Sequence, residues 1–192
     1  MQSPAEPELI KRSKDGDHQA FRKLVEAHQS FAYSVAFRFT GIQSEAEDIT
    51  QEAFIRLWKN LGKFRDGTKL STWLYKIIVN LSLDFQKSSR RKHDRNTVDV
   101  EGGDDIADRD NSEKRKDDFE MLVVIIALAK ILPAQQQTVF VLRDLETLPV
   151  EEVCEITGMN AGKVKSNLYY ARMKIREGLT RHYRELSKNT TG

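Results

Sequence analysis

A charge-rich segment between residues 94 and 117 constrains the fold of this chain more than any other feature, because it contains few apolar side chains. It includes two stretches rich in Asp, Gly and Asn, at residues 102–105 and 109–112. A segment of this composition buries too little apolar surface to offset the entropy lost on ordering, so it is typical of a flexible linker. The sequence therefore predicts two domains, residues 1–93 and 118–192, joined by an acidic linker at 94–117.

The two flanking stretches both show the three- and four-residue spacing of apolar side chains that indicates amphipathic helices. The predicted helices cover residues 7–40 with a break at 15–17, then 45–61, 71–88, 119–132, 134–144, 149–156 and 161–186. Asp17, Ser44 and either Ser71 or Thr72 are expected to cap helix N-termini. A chain of 192 residues can hold one large core or two small ones. We expect an all-α fold made of two small helical domains.

Composition argues against several classes of protein. Cys154 is the only cysteine, which excludes an internal disulfide and a multi-Cys zinc site. The four His residues show no ligand spacing and no glycine-rich phosphate loop occurs, so neither an enzyme nor a cofactor is predicted. The longest apolar run, residues 121–132, is interrupted by Lys130 and falls short of the roughly 20 residues of a membrane helix. With no secretory signal at the N-terminus, we expect a cytoplasmic protein without membrane insertion.

The net charge of +2 conceals a strongly uneven distribution. Residues 69–95 carry seven basic and two acidic side chains, and residues 160–188 carry eight basic and two acidic ones. Between them, residues 99–120 carry ten acidic and four basic side chains. Two basic patches separated by an acidic connector suggest two separate contacts with a polyanion.

The helix at 45–61 has one broad apolar side, which we expect to be packed, and a second face of mixed character. That second face carries Asp48, Gln51, Glu52 and Ile55. An exposed Ile inside a cluster of acids and an amide has the apolar centre and polar rim of a protein-binding face. The alternative is an ordinary solvated face.

The helix at 71–88 combines aromatic and basic side chains outside its apolar stripe. Leu74, Ile78, Leu81 and Phe85 form the stripe that is expected to be buried, whereas Trp73, Lys76 and Asn80 fall on another face. Arg90 and Arg91 follow at the helix end. Aromatic rings among cations form a platform for unstacked bases and their phosphates, although Trp73 packed in a core is the plain alternative.

The C-terminal stretch has the pattern of a helix-turn-helix, with a short helix from Pro149, a turn at Gly158, a cap at Asn160 and a long basic helix. Val164, Leu168, Ala171 and Ile175 of the long helix should pack inward. Its opposite face carries small, hydrogen-bonding and basic side chains: Gly162, Lys163, Lys165, Ser166, Tyr169, Tyr170 and Arg172. Such a face suits the major groove of duplex DNA, and a solvated basic helix is the alternative.

These motifs together resemble a bacterial extracytoplasmic-function sigma factor, the small class that keeps only domains 2 and 4. Residues 48–54, DITQEAF, resemble the family's D-x-x-Q-E-x-F helix, and residues 71–77, STWLYKI, resemble S-T-W-L-Y-R-I. Residues 132–137, 150–153 and 162–168 resemble its L-P-x-x-x-R, EEIA and TVKSRL motifs. Gln137, Cys154 and Gly162 depart from the usual Arg, Ala and Glu or Pro.

The resemblance implies a mechanism without bond chemistry in this chain. The face with Asp48, Gln51, Glu52 and Ile55 would bind the clamp of the largest subunit of core RNA polymerase, and the flap of the second largest subunit would be a further contact. Opened promoter DNA at the −10 element would be held by Phe64, Trp73, Lys76, Asn80, Arg90 and Arg91. The 160–173 helix would read the −35 element, and an anti-sigma factor would regulate the protein.

One rival interpretation remains at this stage, in which residues 1–92 form a sensing or dimerising domain of a stand-alone helix-turn-helix regulator. Such a regulator would bind closed duplex DNA without polymerase. A sigma factor would bind weakly alone and would open promoters only with core enzyme.

Overall fold

The computed structural model describes residues 5–65, 67–93 and 112–189, with the side chains of these residues except 89–93, 112–117 and 189. Most of the predicted linker therefore lies outside the described residues, as do the side chains of Arg90 and Arg91. All regular structure within the described ranges is helical, which confirms the all-α prediction. None of the described helices has the length and apolarity that a membrane span requires.

Eight α-helices are found in the described ranges. They are α1 (Glu6–Lys14), α2 (His18–Thr40), α3 (Gln43–Asn60), α4 (Leu70–His93), α5 (Ser112–Lys130), α6 (Ala134–Phe140), α7 (Val150–Thr157) and α8 (Ala161–Asn189). A 3₁₀ turn, Leu61–Lys63, follows α3, and a π-helical segment, Val141–Leu145, continues α6. Helices α4 and α8 run past their predicted C-terminal ends, and α5 begins at Ser112, seven residues before its predicted start, and ends at Lys130, two residues before its predicted end. Charged residues with good helix propensity prolong these helices without apolar periodicity.

Of the N-terminal caps predicted for α2, α3 and α4, only the cap of α2 is confirmed. Asp17 caps α2 as expected, since its carboxylate accepts hydrogen bonds from the backbone N–H of Gln19 at 2.9 Å and of Ala20 at 3.0 Å. The Ala20 bond and then the Arg12 guanidinium hold the pKa of this carboxyl below its usual range.

The predicted caps of α3 and α4 were wrong. Helix α3 begins at Gln43, one residue before Ser44. The N-cap position is held by Ile42, which has an extended backbone and directly follows the left-handed residue Gly41 at the end of α2. Helix α4 begins at Leu70, so Ser71 and Thr72 lie inside its first turn. Thr72 is buried there and its hydroxyl donates to a carboxylate of α7 instead of capping.

The core of the N-terminal half forms around α2, which packs against α1, α3 and α4. Leu74 and Ile78 are fully buried, Leu81 is buried and Phe85 is half-buried, so the predicted stripe of α4 faces this core. In the C-terminal half, the inward residues of α8 are buried as predicted, namely Val164, Leu168, Ala171 and Ile175. The buried apolar cluster continues from one half into the other, because α4 packs on α7 and α2 packs on α5.

Gly41 lies where the two halves meet and provides a test of that packing. It has a φ of 65°, and a Cβ there would lie 2.9 Å from Cγ2 of Ile126 in α5. Gly16 has a φ of 89° with nothing within 4 Å of such a Cβ, which makes it a matched control. Gly16→Ala is expected to lower the free energy of unfolding by about 1 kcal/mol through left-handed backbone strain. Gly41→Ala should lower it by about 1 kcal/mol more, because the added methyl crowds Ile126.

Urea denaturation of the full chain measures both losses. Equal losses would mean that Ile126 does not pack against Gly41 in solution.

Candidate nucleic-acid and protein interfaces

The four residues predicted to bind protein share one face of α3. Their spacing of three, four and seven residues places them in one row along the helix. Asp48, Gln51 and Ile55 are exposed, with Ile55 at 45%, and Glu52 is half-buried. The Glu52 carboxylate accepts a 2.8 Å hydrogen bond from Nε of Arg56. The structure thus presents an apolar side chain within a polar rim, as an interface requires.

A groove of about 630 Å³ adjoins this face between α2 and α3. It is lined by Gln29, Ser30, Tyr33, Ser34, Glu47, Thr50 and Gln51. Burial and then the neighbouring Glu47 raise the pKa of the Tyr33 hydroxyl. Sequence reasoning missed this groove, because its α2 wall depends on how the two helices pack. Gln51 belongs both to the groove and to the predicted face.

A second groove, of about 300 Å³, brings Trp73 and Asn80 together. Its other lining residues are Arg56, Asn60, Lys63 and Ile77. Asn80 is exposed and Trp73 is half-buried, so the amide and part of the indole ring are open to a ligand. The three residues from the end of α3 and the 3₁₀ turn were missed, although their spacing of four and three was a usable signal. We call this site the aromatic groove.

Phe64 lies behind the aromatic groove. It is only 8% exposed, and its ring centroid is 5.4 Å from that of Trp73. Nζ of Lys14 also lies 5.6 Å from the Phe64 ring centroid, and it donates a 2.8 Å hydrogen bond to the Phe64 carbonyl. The predicted residue Phe64 therefore supports the Trp73 ring from within. Lys76, also predicted, is half-buried on α4 and does not line the groove.

The predicted DNA-reading residues of α8 all lie on its exposed surface: Gly162, Lys163, Lys165, Ser166, Tyr169, Tyr170 and Arg172. Asn160 caps the helix as expected, since its side-chain oxygen accepts from the Lys163 N–H at 2.9 Å. Tyr169 is 66% exposed and meets Tyr170 edge to face, with ring centroids 5.4 Å apart. A groove of about 480 Å³ follows the same face, and it adds Leu168, Met173 and Arg176 to the predicted residues.

Arg172 is held in place by a second element. Its Nε and Nη2 donate to the two carboxylate oxygens of Asp144 at 2.8 and 2.6 Å. This two-point bond raises the pKa of the guanidinium. Asp144 lies in the π-helical segment that follows α6, so this segment orients a cation on the exposed face of α8. Within the described ranges, no group of His, Cys, Asp and Glu could hold a metal ion.

Comparison with known proteins finds a matching family model for each half of the chain. Residues 24–92 match the family model of Sigma-70 region 2, and residues 122–175 match that of Sigma-70, region 4. The ECF RNA polymerase sigma factor SigW of Bacillus subtilis is 33% identical over 176 residues, which cover 88% of this chain and 94% of that protein. This chain belongs to the ECF RNA polymerase sigma factors.

A further relative of this sigma factor carries the same family name, and two solved structures resemble its fold. The ECF RNA polymerase sigma-E factor of Escherichia coli K12 is 29% identical over 173 residues, covering 87% of this chain and 90% of the relative. Among solved structures, CnrH in complex with the cytosolic domain of CnrY has a TM-score of 0.65 at 20% identity, covering 93% of this chain and 99% of that one. RpoE in complex with the anti-sigma factor NepR from Bartonella quintana has a TM-score of 0.63 at 22% identity, covering 83% and 96%. These structures share the fold.

The candidate sites of the sigma factor lie inside the residue ranges that match the two family models. The face of α3 and the aromatic groove lie within region 2, and the predicted face of α8 lies within region 4. The stand-alone regulator interpretation is not favoured, because residues 24–92 match a sigma region.

Proposed function

We propose that this sigma factor binds core RNA polymerase through the exposed face of α3 and holds opened −10 DNA in the aromatic groove, while α8 reads the −35 duplex. The observation that carries this proposal is the placement of two different surfaces on adjacent helices. The α3 face has an exposed Ile55 among acids, whereas the aromatic groove combines Trp73 and Asn80 with Arg56 and Lys63.

The α3 face suits a large protein partner, the clamp of the polymerase's largest subunit. Ile55 would enter an apolar site on the clamp while Asp48, Gln51 and Glu52 meet polar groups around it. The neighbouring groove between α2 and α3 offers further room for an inserted side chain. We also propose that region 4 of the sigma factor contacts the flap of the second largest polymerase subunit.

The aromatic groove suits a base taken out of the duplex. A purine or pyrimidine stacks on the exposed part of Trp73, and the Asn80 amide can donate to and accept from the base edge. Arg56 and Lys63 at the groove edge would contact the flanking phosphates, as would the predicted residues Lys76, Arg90 and Arg91. Phe64 would then act by holding the Trp73 ring, not by stacking on the base itself.

The exposed face of α8 suits duplex DNA. Ser166 and the two tyrosines present hydroxyl groups for base edges, and Lys163, Lys165 and Arg172 are placed for phosphates. A Cβ at Gly162 would meet only the Asn160 side chain at 3.4 Å, so the glycine is not required by packing there. We infer that Gly162 leaves room at the start of the reading helix.

The sigma factor would act in the cytoplasm without bond chemistry of its own and without a cofactor, since the polymerase performs the reaction. An anti-sigma factor is its expected regulator. One structural neighbour with the same fold, RpoE from Bartonella quintana, was solved in complex with the anti-sigma factor NepR.

Run-off transcription with core polymerase and a promoter library tests the proposed function. Transcripts that appear only when the sigma factor is added are expected, and their upstream DNA should share −10 and −35 sequences. A library that yields the same transcripts with and without the chain would overturn the proposal.

A further inference from the structure

One edge of the exposed face of α8 carries a row of three cations. Lys165, Arg172 and Arg176 follow one another at spacings of seven and four residues, so they project within about 40° of one another around the helix axis. All three are exposed and line the groove of about 480 Å³ on this helix. The other described residues that line the groove are apolar or aromatic, and none of them is acidic. This edge therefore presents positive charge along its whole length.

Arg176 extends the row past the end of the matched region 4 model, which stops at residue 175. Its guanidinium has no ion-pair partner among the residues that the structure describes. Ten residues separate it from Ser166, which is about 15 Å of helix, whereas the major groove is about 12 Å wide. A helix that places Ser166 against the base edges thus brings Arg176 to the sugar–phosphate backbone bordering the groove.

Arg172, in the middle of the row, is restrained by an acid. Its Nε and Nη2 donate to the two carboxylate oxygens of Asp144 at 2.8 and 2.6 Å. The Asp144 side chain is 20% exposed and that of Arg172 is 56% exposed, so the acid is the more enclosed partner. The remaining donors of the guanidinium stay open to the groove that Arg172 lines. A phosphate that approaches them meets a cation whose charge is already compensated by a carboxylate, which also repels the phosphate.

We propose that this edge of α8 is a phosphate track for one strand of duplex DNA, in which Arg176 makes a full contact and Asp144 restrains the contact of Arg172. The inference deepens the proposed function, on which its role at the −35 element rests. A phosphate contact carries no sequence information, so an unrestrained cation tightens binding to every duplex alike. Asp144 lowers that sequence-independent affinity and leaves a larger share of the binding to base contacts. Asp144 is thus a positioning residue that raises specificity.

The salt dependence of duplex binding by the full chain tests the contact of Arg176. The probe is a fluorescein-labelled duplex of scrambled sequence and about 20 base pairs, titrated by anisotropy between about 30 and 200 mM salt. Arg176→Gln removes one phosphate contact, so the slope of log affinity against log salt should fall in magnitude by about 0.9. Affinity at about 100 mM salt should fall about three- to fivefold.

Lys174→Gln is the matched control for Arg176→Gln, because it removes the same charge from the same helix. Lys174 is exposed but projects roughly 160° away from Arg176 around the axis. Its variant should keep the wild-type slope. Circular dichroism reports whether a variant has lost helix, and Arg176→Ala decides if Arg176→Gln has lost it. A folded Arg176 variant with the wild-type slope, or an equal loss in Lys174→Gln, would overturn the track.

Asp144→Asn should act in the opposite direction on the same probe. Loss of the carboxylate frees Arg172, so the slope should grow in magnitude by about 0.5–0.9 and the scrambled duplex should bind several-fold more tightly. A merely structural role for Asp144 predicts weaker binding instead. Glu26→Gln is the control, since it also removes an acid paired with an arginine, Arg22, but on α2. An Asp144→Asn variant that binds no more tightly than the wild type, or an equal gain in Glu26→Gln, would overturn the restraint.

The scrambled probe needs neither polymerase nor a promoter, so the two proposals can fail separately. A chain that supports no transcription but shows both slope changes retains the track as a duplex contact and loses the proposed function. A chain that drives transcription while Arg176→Gln keeps the wild-type slope loses only the track. A wild-type chain whose duplex binding does not depend on salt also loses the track.

Discussion

Asn80→Ala is expected to slow promoter opening about 10- to 100-fold while leaving core binding unchanged. The Asn80 amide is exposed in the aromatic groove and contributes nothing to the buried core of region 2. Its loss removes a base-edge contact of the kind that contributes about 1–3 kcal/mol to recognition. Open-complex formation, followed by the permanganate reactivity of unpaired thymines, measures the effect.

Asp84→Ala is the control for this variant. Asp84 lies one turn further along α4, is equally exposed and does not line the groove. It should open promoters at the wild-type rate. An equal defect in Asp84→Ala, or a matching loss of core affinity in Asn80→Ala, would contradict the assigned role of Asn80.

The double charge reversal Asp48→Lys/Glu52→Lys is expected to weaken core binding about 10- to 100-fold. Both residues border Ile55 on the α3 face, and a reversed rim places like charges against the partner surface. Ile55→Asp should be as damaging, because it places a charge at the apolar centre of the interface. Titration of core polymerase with labelled sigma factor gives the affinities.

Glu26→Lys serves as the control for the charge reversals, because Glu26 is an exposed acid of α2 that pairs within its own helix. It should leave core affinity unchanged. Wild-type affinity in the double variant and in Ile55→Asp would show that core polymerase binds elsewhere.

The sequence predicted the helices and their inward faces well, because apolar periodicity reports directly which side of a helix is buried. In α4 it separated buried Leu74 and Ile78 from exposed Asn80. The same reasoning placed Ile55 on the surface of α3, where the structure has it 45% exposed. The helix-turn-helix followed from Gly158, whose φ of 71° ends α7, and from the cap at Asn160.

Contacts between residues far apart in the chain could not be predicted in this way. The bond between Arg38 and Glu146 joins residues 108 positions apart, and neither belongs to a pattern that marks the other. Thr72 looked like a helix cap, since a hydroxyl at the start of an apolar helix usually serves there, yet it is buried against Glu152. The π-helical segment was hidden because its residues fit the apolar spacing of an ordinary helix.

The most direct test of the account asks whether α3 and α4 contact polymerase and DNA separately. Promoter opening is measured for Asn80→Ala and for Ile55→Asp as sigma factor is raised from limiting to saturating concentration over core. Ile55→Asp is chosen because Glu52 pairs with Arg56 of the aromatic groove, whereas Ile55 does not line that groove. Excess protein is expected to restore opening to Ile55→Asp, since only its assembly is weakened, and to leave Asn80→Ala defective at saturation. Recovery of Asn80→Ala at high concentration, or an Ile55→Asp variant that still fails to open promoters once fully assembled, would contradict the separate roles of α3 and α4.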